Sequence, residues 1–429
     1  MATGSAMSDA PRSVVVVGAG IVGLSTAWFL QERGVEVTVV DREGVAAGAS
    51  WGNAGWISPA LTAPLNAPGV LREGLRSLAD PAAALHIPLR PDSALIRFLT
   101  RFAANSRASV WRAAVAANAV LNDEAIETYD VLVANGVDAP VTDTSISVAF
   151  RDAQKAAAFQ AGLQHLETTH HDVRSEMLTG ATIREQVPLA SSDVAAVVSV
   201  FGQRFVDPGR FTHALGDAVA ARDGHVITGE VVGFSGGRDV QVRLGNGETV
   251  RADAVVLATG AWLPALTGRR IRVRLQAGRG YSFTVPVDRA LPGPIYLPEA
   301  RVACTPYRDG LRVAGTMEFR RPSEPLIPRR VDAIVASAAP LLDGVRWDAR
   351  HDLWVGPRPV TDDGKPLIGE LEPGVFTAGG HGMWGLAHGP ATGRLLAEQI
   401  TTGKQPEVLR PFDPLRRGSR ALDPPPAGH

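Results

Sequence analysis

The stretch from Ser13 to Asp41 constrains the fold more than any other part of the chain. Ser13-Val-Val-Val-Val17 is a β-branched run suited to a buried parallel strand, and it leads directly into Gly18-Ala-Gly20-Ile-Val-Gly23. A helical stretch follows, with Leu24, Ala27 and Trp28 on one face and Gly34 as its C-terminal cap. Val35, Val37 and Val39 then alternate with Glu36 and Thr38 in a second strand that stops at Asp41. This is a βαβ unit whose glycines serve a tight turn, close approach of backbone to a pyrophosphate, and close packing of helix on strand. The helix N-terminus offers free N–H groups and partial positive charge to that pyrophosphate. Asp41 stands where an acid meets ribose hydroxyls, and it would repel the extra phosphate of NADP, so FAD or NAD is favoured. Arg42 beside it reads as an arginine flanking the adenosine. The glycine spacing by itself does not separate FAD from NAD.

Composition removes other classes. The 43 basic and 44 acidic residues give no overall field to hold a polyanion, so nucleic acid is not expected as a partner. A single cysteine, Cys304, excludes an intramolecular disulfide framework and any zinc site of several thiolates; no metal is expected. It also fits a reducing, cytoplasmic compartment. The uncharged run Val14 to Leu30 falls short of the ~20 residues of a membrane span and carries the three glycines. Met1 to Pro11 lacks the pattern of a secretory signal, so residues 1–12 read as a disordered leader. Residues 406–429 read as a C-terminal tail, Pro-rich and disordered from Ala421.

Further along, Arg251-Ala-Asp253-Ala-Val-Val-Leu-Ala-Thr-Gly260 reads as a hairpin exit and a buried strand returning to the first sheet. Gly224 to Val232 reads as another strand of that sheet, and Asp207-Pro-Gly-Arg as the capped start of a helix. Near the end, Gly379-Gly-His381-Gly-Met-Trp-Gly385 forms a loop ahead of Pro390. Pro390 suits the first turn of a helix carrying Leu395, Leu396 and Ile400 and closed by Gly403. A second helix N-terminus is thereby aimed at a ligand far along the chain from the first.

Five motifs in order carry a resemblance. They are Gly18-x-Gly20-x-x-Gly23, Ala49-Ser-Trp-Gly-Asn53-Ala-Gly55, Ala258-Thr259-Gly260, the run Gly356-Pro-Arg358-Pro through Gly369, and Gly380-His-Gly-Met-Trp-Gly385. Together they resemble the FAD-dependent D-amino-acid oxidase and dehydrogenase family, which includes glycine and sarcosine oxidases, over about Ser13 to Gly403. The nearest look is to bacterial D-amino-acid dehydrogenases, through Asn53-Ala-Gly-Trp-Ile-Ser58-Pro59.

The resemblance implies an α/β, overall α+β, molecule. A Rossmann-type FAD-binding domain (13–80, 205–268 and 352–405) carries a discontinuous substrate domain (81–204 and 269–351) built on an antiparallel sheet. It implies noncovalent FAD, since no cysteine follows the Arg358-Pro359 motif where sarcosine oxidases attach flavin. Ile21 and Val22 are expected at the pyrophosphate turn, Asp41 and Arg42 at the adenosine, and Ala49, Ser50, Ala54, Gly55 and Trp56 along the diphosphate and flavin. Val231 is expected to contact adenine, and the segment His381, Gly382, Met383, Trp384, Gly385, Leu386, Ala387 to pass under the pyrimidine end of the flavin.

Arg358 is the expected anchor of the substrate carboxylate, because a planar guanidinium grips a carboxylate bidentately. His381 is a candidate contact to flavin and a candidate base for the amine. Glycine oxidases use a further arginine and a tyrosine where this chain has Met383 and Ala303, so glycine is disfavoured as substrate. Met383, Trp384, Trp51 and Trp56 are candidates for an apolar wall. The expected reaction is oxidative deamination of D-amino acids by hydride transfer to flavin, with electrons passed to a quinone or, alternatively, to O2. With only Lys155, Lys365 and Lys404, a lysine-assisted oxygen site is hard to place. Alternatives are oxidation of secondary amines, including N-methyl and proline-type amino acids, and a non-catalytic FAD electron-transfer subunit. The Arg-bearing apolar stretch Leu95 to Ala114 raises peripheral contact with the cytoplasmic membrane face, although burial against the substrate domain is the favoured reading; oligomeric state is not legible.

Overall fold

Consecutive valines place β1 (Ser13–Val17) at the centre of a sheet, where both faces are covered and exposure of Val14 to Val17 is 3% or less. In the computed structural model, which describes residues 10–70, 74, 83–88, 92–167, 173–237, 239–308 and 310–416, β1 pairs in parallel with β2 (Glu36–Asp41) on one side and Ala254–Leu257 on the other. Helix α1 (Ile21–Glu32) makes the crossover. Among the described residues six strands form this sheet, in the order Leu367–Glu372, Val375–Gly379, Ala254–Leu257, β1, β2, His225–Thr228. The first two pair antiparallel and the rest are parallel. One face packs on α1, the helix Pro208–Ala220 and the long helix Gly385–Thr402; the other packs on a three-stranded sheet, Val231–Ser235, Val240–Leu244 and Thr249–Ala252. The architecture is Rossmann-type.

A larger mixed sheet carries the second core. Its main path runs His351–Thr361, Leu275–Pro286, Gly310–Phe319, Val302–Tyr307, Ile295–Leu297, Thr142–Phe150, Ala196–Phe205 and Trp56–Ile57. Pairing is antiparallel along this path except between Ile295–Leu297 and Thr142–Phe150. Tyr281, Phe283, Leu311, Val313 and Cys304 point from it into a core shared with the helix Pro328–Ala338. Alternate residues face the other way, toward the first sheet.

Several expectations are corrected. Residues 352–361, assigned by sequence with the FAD-binding pieces, belong to the larger sheet, because they pair along Leu275–Pro286. Trp56 and Ile57 likewise pair with Phe205 and Arg204 there. The run 224–232 is not one strand: it leaves the first sheet after Thr228 and begins the three-stranded sheet at Val231. Arg272 to Arg274 precede the strand that starts at Leu275. The leader ends before Arg12, whose amide donates to Asp253 at 2.7 Å. The tail is packed as far as Arg416, with Leu409 and Phe412 fully buried and Arg416 gripping the buried Asp363 through two nitrogens at 2.8 and 3.0 Å. Residues 1–9 of the leader, the Pro-rich end from Ala421 and the boundary at 80/81 lie outside the described residues.

The helix Ser93–Asn105 turns Phe98 and Phe102 onto Phe319, with ring centroids 5.3 and 6.3 Å away, and Arg101 pairs with buried Asp362 at 2.7 Å. Its apolar side is therefore a core contact, leaving Ile96 exposed. Among the described residues no helix is long and apolar enough to cross a membrane.

Candidate active site

A cavity of about 490 Å³ opens between the glycine turn after β1, the N-terminus of the helix Gly385–Thr402 and the face of the larger sheet. The three glycines of the turn have separable roles. A β-carbon on Gly18 would lie 2.5 Å from the Ala258 carbonyl oxygen, and one on Gly23 would lie 1.9 Å from the Gly18 oxygen, so both are fixed by packing. A β-carbon on Gly20 would meet only Ser50 Oγ, at 3.2 Å, which leaves its backbone bare toward the cavity. Ser50 Oγ accepts from the Ile21 amide at 3.0 Å. Asp41 secures the turn from beneath: its Oδ2 accepts from Ala19 N at 2.9 Å, while Oδ1 accepts from Glu43 N and Gly44 N.

Gly18, Gly20, Ile21, Val22, Asp41, Arg42, Ala49, Ser50, Asn53 and Val231 all line the cavity. So do Thr259, Gly260, Arg358, His381, Gly382, Gly385 and Leu386. Arg42 stacks over Trp262, 3.9 Å from the ring centroid, at the β2 end. The helix Gly385–Thr402 begins five residues before the position expected from Pro390. Pro390 sits inside it and has no N–H to give the Leu386 carbonyl; the buried Tyr129 hydroxyl donates to that oxygen instead, at 2.8 Å. Neither this helix nor α1 is capped by the side chain of its own N-cap residue, and with the Ile21 amide taken by Ser50 Oγ, the two helix N-termini still face one cavity. Such a chamber, with bare backbone at a glycine turn and a second positive helix end beyond, suits an extended dinucleotide with a ring system at its far end.

Other expected residues stand apart from the cavity. Trp56 is buried, donates from Nε1 to Thr305 Oγ1 at 2.8 Å and meets Tyr296 edge-on. Ala54 offers its carbonyl to the same Thr305 hydroxyl. Gly55 has φ +86° and packs on the Val206 carbonyl. Trp384 donates to the Ala63 carbonyl at 2.8 Å, and Met383 packs in the cluster of Phe98 and Phe319. Ala387 is buried within the helix. The substrate-wall role expected of Trp56, Met383 and Trp384 is thus displaced by packing and hydrogen bonds elsewhere. Trp51 lies under the Arg312 guanidinium, 4.8 Å from its centroid.

His381 is also corrected. Its Nε2 is hydrogen-bonded to Thr392 Oγ1 at 2.9 Å within the helix that follows, and burial holds its pKa down to about 3. An imidazole that is neutral and turned into the fold is poorly matched to take a proton from an ammonium group. It fits a positioning contact at the helix start.

Arg358 is different. Its guanidinium lines the cavity, donates to the Thr316 carbonyl at 3.3 Å, and has no carboxylate at ion-pair distance among the described residues. Desolvation lowers its pKa to about 10, which leaves it charged at neutral pH. Thr316 has φ +52°, rare for a β-branched residue, at a bulge where Thr316 and Met317 oppose Gly280. Residues that sequence reasoning missed as cavity lining include Trp262, Pro322, Ser323, Glu324 and Trp354. Gly260-Ala-Trp262 carried a usable signal, a tryptophan immediately after a glycine turn; the 322–324 loop carried none.

Comparison with known proteins gives the family. The family model described as DAO, FAD dependent oxidoreductase, matches residues 13–399. The chain belongs to that family. The D-amino acid dehydrogenase of Cereibacter sphaeroides (strain ATCC 17029 / ATH 2.4.9) is 31% identical over 410 residues, covering 92% of this chain and 93% of its own length. The D-amino acid dehydrogenase of Vibrio vulnificus (strain CMCP6) is 30% identical over 419 residues, 94% and 99% of the two chains. Among solved structures, glycine oxidase from Bacillus cereus ATCC 14579 superposes with TM-score 0.72 at 22% identity, covering 96% of this chain and all of that one. L-proline dehydrogenase from P. horikoshii gives 0.71 at 19% identity, with 94% and 97% covered. This member of the DAO family is an FAD-dependent oxidoreductase.

Proposed function

We propose that this FAD-dependent oxidoreductase deaminates D-amino acids and passes the electrons to a quinone or another carrier rather than to oxygen. The observation that carries the reading is Arg358, a desolvated cation facing the cavity with no acidic partner among the described residues. A buried charge is costly unless paired, so a ligand carboxylate supplies what the protein leaves out. The names of the relatives support the stereochemical class.

When bound, FAD accepts a hydride and so supplies the redox chemistry. The bare backbone at Gly20 and the start of α1 at Ile21 and Val22 would hold the pyrophosphate, Arg42, Trp262 and Val231 would flank the adenosine, and the helix N-terminus at Gly385 and Leu386 would face the ring end. Arg358 takes the carboxylate in two charge-assisted bonds and so fixes the Cα–H bond. On this reading the substrate would lose a hydride from Cα and a proton from nitrogen, and water would hydrolyse the resulting C=N to a 2-oxo acid and ammonia. Anaerobic mixing of the flavoprotein with D-amino acids, L-amino acids and secondary amines tests the substrate: D-amino acids are expected to bleach the flavin fastest. Fast bleaching by L-amino acids or secondary amines alone would overturn the assignment. Stopped-flow reoxidation tests the acceptor, with a quinone analogue expected to outrun dissolved oxygen; rapid reaction with oxygen defeats the dehydrogenase reading.

A further inference from the structure

We propose that Trp354 sets the substrate preference of this site, its indole forming the wall against which the group on the α-carbon packs. The inference rests on the reading of Arg358 as carboxylate anchor. Trp354, Gly356 and Arg358 occupy alternate positions of the strand His351–Thr361 and line the cavity. On the neighbouring strand Gly280 stands directly opposite Gly356. The two glycines form a floor of bare backbone, and the flanking side chains fold onto it. A β-carbon on Gly280 would lie 2.1 Å from Arg358 Cζ, and one on Gly356 would lie 1.9 Å from Trp354 Cζ2. Guanidinium and indole therefore cover opposed positions of adjacent strands, where Cα atoms stand ~4.5–5.5 Å apart. A carboxylate held by the first brings its α-substituent over the second.

The indole meets a second glycine backbone as well. A β-carbon on Gly52 would lie 2.0 Å from Trp354 Cδ2. Wedged against the backbones of Gly52 and Gly356, the ring has little room to turn aside, so the part of it that lines the cavity acts as a rigid apolar surface. That surface favours α-amino acids with apolar, and especially aromatic, side chains. A hydrogen in place of the side chain gains nothing from it, and a charged side chain loses solvation against it.

The test uses the holoenzyme and two non-reacting carboxylates, acetate and phenylacetate, titrated against the flavin absorbance. Wild type is expected to bind phenylacetate at least tenfold more tightly than acetate. Trp354→Leu and Trp354→Ala should each remove most of that preference while changing acetate binding less than threefold. Gly356→Ala, which displaces the ring, should act in the same direction. Arg358→Lys should instead weaken both carboxylates alike, which separates the two readings. In turnover, the kcat/KM ratio of D-phenylalanine to D-alanine should fall about tenfold in Trp354→Leu. Flavin content and thermal melting establish that each variant is folded, with Trp354→Phe as a variant that keeps a ring and part of the preference. A wild-type ligand ratio in folded Trp354→Leu overturns the proposal and leaves the Arg358 reading intact. Failure of both carboxylates to perturb wild-type flavin overturns both.

Discussion

His381 and His388 make the protein sensitive to acid. Both are buried, and desolvation holds each pKa down to about 3, against an ordinary value of 6.5. Between those values the unfolded chain binds protons that the folded one refuses, so the stability is complete above about pH 6.5 and is lost as the pH falls. Each should cost roughly 2 kcal/mol at pH 5 relative to pH 7. Asp362 works in the opposite sense. Burial, with Asp363 beside it, raises its carboxyl to about 6, so it takes up a proton in the folded state and offsets about 1 kcal/mol. Urea unfolding at the two pH values is expected to show the net loss, and His388→Gln should shrink it by about two-thirds; an unchanged difference would remove the imidazoles from the account. At this scale the sequence was legible where one residue answers to one motif. Gly20, Ser50 and Arg358 come from three separate motifs and line one cavity. Trp354 was not legible as a wall, because its place depends on Gly52, some three hundred residues earlier in the chain, and on Gly356 facing Gly280.

The start of the helix Gly385–Thr402 rests on a contact between distant elements. Pro390 breaks the helical hydrogen bond to the Leu386 carbonyl, and Tyr129, from the helix Ala125–Ala134, replaces it. Tyr129→Phe leaves that buried oxygen without a donor, which should cost about 1–3 kcal/mol. Chemical denaturation checks this, and a neutral result would mean that the proline is accommodated without the tyrosine. Proline preference favours Pro390 in the first turn, but its place in the second depends on a tyrosine far away in the chain that no local rule shows. The strand misjudged over 224–232 has a similar cause: β-branched alternation marks a strand but not the sheet it joins. The βαβ unit was readable because strand, turn, helix and strand all lie within one local stretch.

Across the molecule, the larger sheet has two faces with different duties. Cys304 faces the core shared with the helix Pro328–Ala338, and burial pushes its thiol up to about 12. It is therefore neither exposed to the cavity nor a thiolate, so FAD is expected to leave with the supernatant on acid precipitation; flavin retained by the denatured protein would contradict this. The opposite face carries Arg358, on which the account depends. Anaerobic single-turnover bleaching by a D-amino acid in Arg358→Lys measures that role most directly. Charge is kept while the planar fork is lost, so transition-state stabilisation should fall by ~2–4 kcal/mol, or roughly thirty-fold to a thousand-fold in the reduction rate over substrate affinity. FAD content and melting temperature should stay near wild type. A folded, FAD-loaded Arg358→Lys that bleaches at the wild-type rate would contradict the account.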